Sequence, residues 1–282
     1  MKETLAFGIV FLFFGVAFAP SLYADVKTIS EQKELIEIPI QICGLGGMKE
    51  YTVKLSKEDV NRLEILFDDI HRRLDSSKSM WETISIFKDA VVELDKLGLL
   101  IDITVEDAQK LVIGTYETPQ IINILRNLYA KKFENKIDNY YCQVTGSSTK
   151  TNIYGWLLFT FYKITDHFFP FYFIYIWYYI LIHHYLNRAT SFLGILTFGN
   201  CIHQWEGPAI HEPAVGWIWT DGSNGIQEWN GSFYGNYYDI CWDANGLYDI
   251  HEMAGASGFT GIKVEDYYLG YALRVKISDT YP

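Results

Sequence analysis

The feature that most constrains this chain is an aromatic, nearly uncharged block in its middle, from Ile153 to Leu186. Within it Phe168 to Ile182, FFPFYFIYIWYYILI, carries no charge. Each large apolar side chain left in water forgoes roughly 1.5–3 kcal/mol of burial, so the block needs lipid, a partner or a deep core. Length narrows the choice. Lys163, Asp166 and His167 interrupt the run, and Ile153 to Tyr162 as a helix reaches only ~15 Å of a ~30 Å hydrocarbon core. Phe168 to Leu186 would reach ~28 Å, with Pro170 tolerated in the first turn. Two full crossings are disfavoured. A single crossing would separate the flanking segments across the membrane, although both carry cysteines. The expected arrangement is a hydrophobic helix or hairpin in the membrane interface, with Tyr and Trp at headgroup level. A buried central helix is the alternative.

A second apolar run, Leu5 to Phe18, follows Lys2 near the start. It matches an export signal over 1–24, with Ala24 the better cleavage residue; an uncleaved anchor is the competing reading. Either sends Asp25 onward out of the cytoplasm, to the outer face of the cell membrane or beyond. Four cysteines fit that address: Cys43 and Cys142 before the block, Cys201 and Cys241 after it. An even number in an exported chain points to disulfides, most simply Cys43–Cys142 and Cys201–Cys241; four buried thiols are the alternative. The net charge is −11, and residues 199–282 hold 11 acidic side chains against 3 basic. That balance opposes nucleic-acid binding, which depends on Lys and Arg neutralising phosphates.

Between these landmarks the chain reads as a β-hairpin plus helices over 25–152. Ile36, Ile38, Ile40 and Ile42 alternate with Leu35, Glu37, Pro39 and Gln41, a strand pattern in which Pro39 marks an edge or an irregularity. A return strand runs to Leu55. Ser56, Ser79 and Thr104 each precede a carboxylate by three residues (Asp59, Glu82 and Asp107) and open helices. Val60, Leu63, Phe67, Ile70 and Leu74 form one apolar seam, and Ile84, Phe87, Val91 and Leu94 a second, making an antiparallel helix pair ended at Gly98. Thr118-Pro119 opens a fourth helix to about Lys136. His71 reads as part of a solvated face beside Arg72 and Arg73.

The stretch IPIQICGLGGMKEYTVKLSKEDVNRLEILFDDI, the helix ETISIFKDAVVELDKLGLL, and the later GWIWTDGSNGIQEWNGSFYG and GFTGIKV segments resemble a group of exported archaeal proteins of unknown function. The resemblance implies a leader, a helical region, a hydrophobic middle and a distal segment, and brings no activity with it.

Short strands are expected over Gly194–Ile202, Val215–Thr220, Ile226–Trp229, Ser257–Val264 and Tyr267–Ile277, with Asn224-Gly225 a hairpin turn. The fold class is therefore α+β: a β-hairpin plus helical domain (25–152), a hydrophobic helical middle segment (153–193), and a distal small antiparallel β-sandwich or barrel-like domain (194–282). Trp217, Trp219, Trp229 and Trp242 suit either a sugar-stacking platform or core packing. His203, His211, Glu212, His251 and Glu252 could surround a metal in an extracytoplasmic enzyme, but no HExxH spacing, GxSxG or P-loop supports catalysis. The expected role is structural or interactive, with the membrane surface as partner through 153–193 and a protein partner besides. The sharpest ligand pattern is CWDANGLYDIHE. With Cys241 as its first position, Asp243, Asn245, Leu247, Asp249 and Glu252 fall where an EF-hand loop places oxygen ligands for calcium. If they converge, millimolar calcium raises the melting temperature by linkage and Glu252→Gln abolishes most of the rise. A melting curve indifferent to calcium reduces the motif to an acidic turn.

Overall fold

The computed structural model describes residues 35–44, 47–115, 138–155, 194–202, 210–235, 239–242, 248–251 and 255–279. The leader (1–24), the helix expected from Thr118 to Lys136 and most of the hydrophobic block lie outside these residues.

The first hairpin forms as its alternation predicts. β1 (Leu35–Gly44) and β2 (Gly47–Ser56) are neighbours in the sheet, and Ile38, Ile40 and Ile42 are buried. Pro39 is not on an edge strand, because β1 lies between β2 and β12 (Ala256–Val264). It is accommodated because the β1–β12 register starts one residue later, at Ile40↔Val264, and the Pro39 carbonyl accepts from the Glu265 N–H at 2.9 Å.

Three helices follow at the predicted caps: α1 (Lys57–Asp75), α2 (Met80–Lys96) and α3 (Val105–Ile113). The hydroxyls of Ser56, Ser79 and Thr104 accept from the N–H groups of Asp59, Glu82 and Asp107 at 3.2, 3.3 and 3.1 Å, satisfying first-turn donors that have no helical partner. Leu63, Phe67, Ile70 and Leu74 bury the α1 seam; Phe87, Val91 and Leu94 bury that of α2, joined by Thr83, Ile86 and Ala90. Gly98 ends α2 with φ of 72°, a left-handed turn open to glycine without penalty.

The remaining chain does not make the expected separate β domain. β3 (Asn139–Ser148), β8 (Ala214–Gly222), β9 (Gly225–Phe233) and β13 (Tyr267–Val275) join β1, β2 and β12 in one sheet, ordered β2-β1-β12-β13-β3-β8-β9. Strands from before and after the hydrophobic block thus share a single hydrogen-bonded sheet, in which β1–β12, β12–β13, β13–β3, β3–β8 and β8–β9 all pair antiparallel. An α+β division into a helical half and a β half is replaced by a predominantly antiparallel β fold with three helices packed on it. The expected helical middle is also corrected at its start, where residues 153–155 belong to a strand, β4 (Thr151–Gly155), while β5 (Gly194–Phe198) falls within the strand expected over Gly194–Ile202; the two complete the nine-stranded sheet. Among the described residues no helix is long and apolar enough to cross a membrane. β6–β7 (Asn200–Ile202, Ile210–Glu212) and β10–β11 (Asp239–Trp242, Tyr248–His251) form separate two-stranded antiparallel sheets.

Alternation along each strand sorts side chains into two cores. Ile38, Ile40, Trp219, Ile262 and Leu269 join Phe67, Phe87 and Val112 of the helices. Cys43, Val144, Ile218, Tyr268 and Ala272 join Leu196, Phe198 and Phe259 in the other. In the sheet interior Gly261 faces Gly270, and Gly261 has φ of 154°. A Cβ on Gly270 would come within 2.6 Å of the Phe259 ring, so the absent side chain is what lets that ring lie over the strand.

The β8–β9 turn is tied down from below. Ser223 and Asn224 turn the chain between Gly222 and Gly225, which pair. Buried Asn139 donates to Thr220 Oγ1 (2.9 Å) and the Gly225 carbonyl (2.8 Å), while its Oδ1 accepts from the N–H groups of Tyr140 (3.1 Å) and Asn224 (3.2 Å). Next to it Asp138 is buried, and Arg274 donates to its Oδ2 from Nε (2.8 Å) and Nη2 (2.6 Å). Removing one partner of a buried pair strands the other charge. Arg274→Ala should therefore cost about 3–5 kcal/mol in denaturant unfolding, far more than loss of any exposed ion pair on α1 such as Arg62–Asp59.

Candidate functional site

Two places on this scaffold gather chemistry or constraint. The first is the neck from which the hydrophobic block departs. β4 and β5 pair in register from Thr151↔Phe198 to Gly155↔Gly194, so the block leaves and returns at adjacent backbone positions. β5 is held in turn by the first part of β12, Ala256↔Leu196 and Ser257↔Ile195. Packing at the base is tight: a Cβ on Gly194 would sit 2.6 Å from Cys43 Sγ and 2.9 Å from Ile153.

The second place joins α1 to the β8–β9 hairpin. His71 and Asp75 are four residues apart and share a helix face. Across from them, Trp217, Trp219, Glu228 and Asn230 project from one side of the hairpin, since Trp219 pairs with Glu228 and Trp217 with Asn230. The His71 ring stacks on Trp217 with centroids 4.0 Å apart and planes 3° apart. Its Nε2 lies 3.1 Å from Glu228 Oε1 and 3.9 Å from Asp75 Oδ1. Asn230 Nδ2 donates to the same Glu228 oxygen at 2.6 Å. The three ligand-capable atoms lie within 4.8 Å of one another.

The residues singled out in the sequence fare differently. Asp243, Asn245, Leu247 and Glu252 lie outside the described residues; Asp249 belongs to β11, its backbone opposite Cys241 in β10. His203 also lies outside them, His211 and Glu212 fall in β7, and His251 in β11. Of the tryptophans, Trp219 is buried core, Trp217 stacks on His71, and Trp229 is partly buried against the second core. The expected Cys43–Cys142 bond does not fit this sheet. Both are free, buried thiols, and β12 and β13 stand between their strands, three steps of ~4.8 Å where a disulfide needs Cα atoms within ~7 Å. Glu228 was not distinguished in the sequence; it joins the cluster through the β8–β9 register, and the i, i+4 spacing of His71 and Asp75 was the only visible hint.

No protein-family model, curated protein or solved structure matches the chain.

The thiols give a direct check on the cores. Burial pushes the Cys43 thiol up to about 12, a backbone hydrogen bond from Gly194 offsetting part of the rise, and burial likewise raises Cys142. Since the thiolate is the reactive form, a Cys201→Ser/Cys241→Ser variant should react with a thiol reagent at pH 8 at least about a hundredfold more slowly when native than when unfolded. Unfolding without reductant should release two thiols per chain. Recovery of none would restore the Cys43–Cys142 bond.

Proposed function

We propose that this is an exported protein with a structural or interaction role, held at the outer face of the membrane by the hydrophobic stretch 156–193. The observation that carries the reading is the β4–β5 register. Because Gly155 and Gly194 are paired, the stretch is an excursion that begins and ends at one point of the sheet. Its flanks belong to one ladder, so they occupy the same side of any bilayer. A single crossing is incompatible with that connectivity, whereas a hairpin dipping into the interface is compatible with it. The uncharged FFPFYFIYIWYYILI segment supplies the apolar surface, and its Tyr and Trp residues suit the headgroup boundary. The N-terminal run Leu5 to Phe18 supports export.

The neck also makes the excursion separable. Paired backbone ends can be closed by a short turn, so replacing residues 157–192 by a short Asn-Gly turn should leave the far-ultraviolet circular dichroism and cooperative melting of the β fold in place. The intact chain should partition with anionic phospholipid vesicles and resist high-salt extraction, and the shortened variant should stay in the supernatant. Vesicle binding retained without the excursion, or an intact chain that is soluble without detergent, would overturn the proposal.

A further inference from the structure

We propose that His71, Asp75 and Glu228 bind a divalent transition-metal ion of the zinc class, clamping α1 to β9. The inference is independent of the membrane reading, because none of its residues belongs to the excursion. Geometry is its first support. One Nε2 atom faces two carboxylates, at 3.1 Å and 3.9 Å. An imidazole N–H points in a single direction and serves one acceptor well, whereas a metal ion is shared among all its ligands. Ligand atoms held at ~2.0–2.2 Å around a tetrahedral ion lie ~3.4 Å apart. The two distances from the imidazole straddle that value and all three ligand atoms lie within 4.8 Å of one another, so side-chain shifts on the order of an ångström close the site.

Orientation is the second support. The Trp217 stack sets the plane of the imidazole, and the Asn230 amide holds the Glu228 carboxylate, the kind of outer partner that aims metal ligands. Charge is the third. Two carboxylates and a neutral imidazole balance a divalent ion, and the neighbouring cations on α1 are engaged elsewhere: Arg72 with Asp69, Arg73 with Asp69 and Asp89. The donor set selects the ion class. Calcium asks for six to eight oxygens, while one nitrogen and two carboxylate oxygens suit zinc and its neighbours. His71 and Glu228 are 25% and 34% exposed and Asp75 54%, so an ion can enter from solvent and keep water at its remaining position.

The test is titration of the purified full-length chain with Zn²⁺ by calorimetry, paired with Cu²⁺ quenching of tryptophan fluorescence. Zn²⁺ should bind with a saturable component that weakens at least tenfold in His71→Ala, in Glu228→Gln and in Asp75→Asn. The last alters an exposed position and keeps the Trp217 stack, so it reports even if His71→Ala misfolds. Cu²⁺ held at His71 should quench Trp217, and the quenched fraction should fall in Trp217→Phe and in Asp75→Asn alike. Zn²⁺ should raise the melting temperature of the wild type and not of the variants. Affinity unchanged in both Asp75→Asn and Glu228→Gln, or no saturable binding by the wild type, overturns the site.

Discussion

Everything in this fold hangs on β12. One edge pairs with β13 along its length, while the other is divided: Ile262 and its neighbours bind β1, and Ala256 to Phe259 bind β5. A straight strand would offer one partner a continuous edge. The register shift between Ser257 and Phe259 is the physical reason it offers two, and Gly258, with φ of 69°, sits in that shift. Its conformation is cheap for glycine, and a Cβ there would strike Leu273 at 2.6 Å. The same bend therefore receives the N-terminal hairpin and the neck of the hydrophobic excursion, which are far apart in sequence.

Local sequence carried the helices and hairpins and missed how they combine. Ser56, Ser79 and Thr104 were legible as caps because capping is decided within four residues, and Gly98 as a stop for the same reason. The alternation of Ile38, Ile40 and Ile42 announced a strand with one buried face. What no local pattern holds is which strand pairs with which. That β1 would cross the whole chain to meet β12 depends on long-range burial, and the hydrophobic block hid it by inviting a division of the chain into domains. Pro39 shows the same limit: its pattern allowed an edge or an irregularity, and only the pairing shows which, with the proline at the end of the β1–β12 ladder, where it has no N–H to give and its carbonyl accepts from Glu265.

The candidate site shows the same limit more sharply. His71 and Asp75 announce themselves only as two polar residues on a polar helix face, and Glu228 as one acid in an acidic segment. Their meeting requires α1 to lie across the β8–β9 hairpin and Trp217 to take the imidazole face. Conversely, Trp217, Trp219 and Trp229 read alike in sequence, yet strand alternation sends the first two to the helical side and the third to the opposite core. A cluster of aromatics in sequence need not be a cluster in space, because a strand splits it between two faces.

The hydrophobic block finally poses a folding problem that the neck answers. A run this apolar, placed inside a strand, would compete with the native pairings for burial. Set between β4 and β5, it is attached through two short strands whose ends meet at Gly155 and Gly194, and Gly194 lets the backbone approach Cys43 closely. The two cores take side chains from strands and helices on both sides of the block in sequence. The paired neck fixes where the segment leaves and rejoins the sheet, and the burial its aromatic side chains require is what the proposed membrane contact would supply.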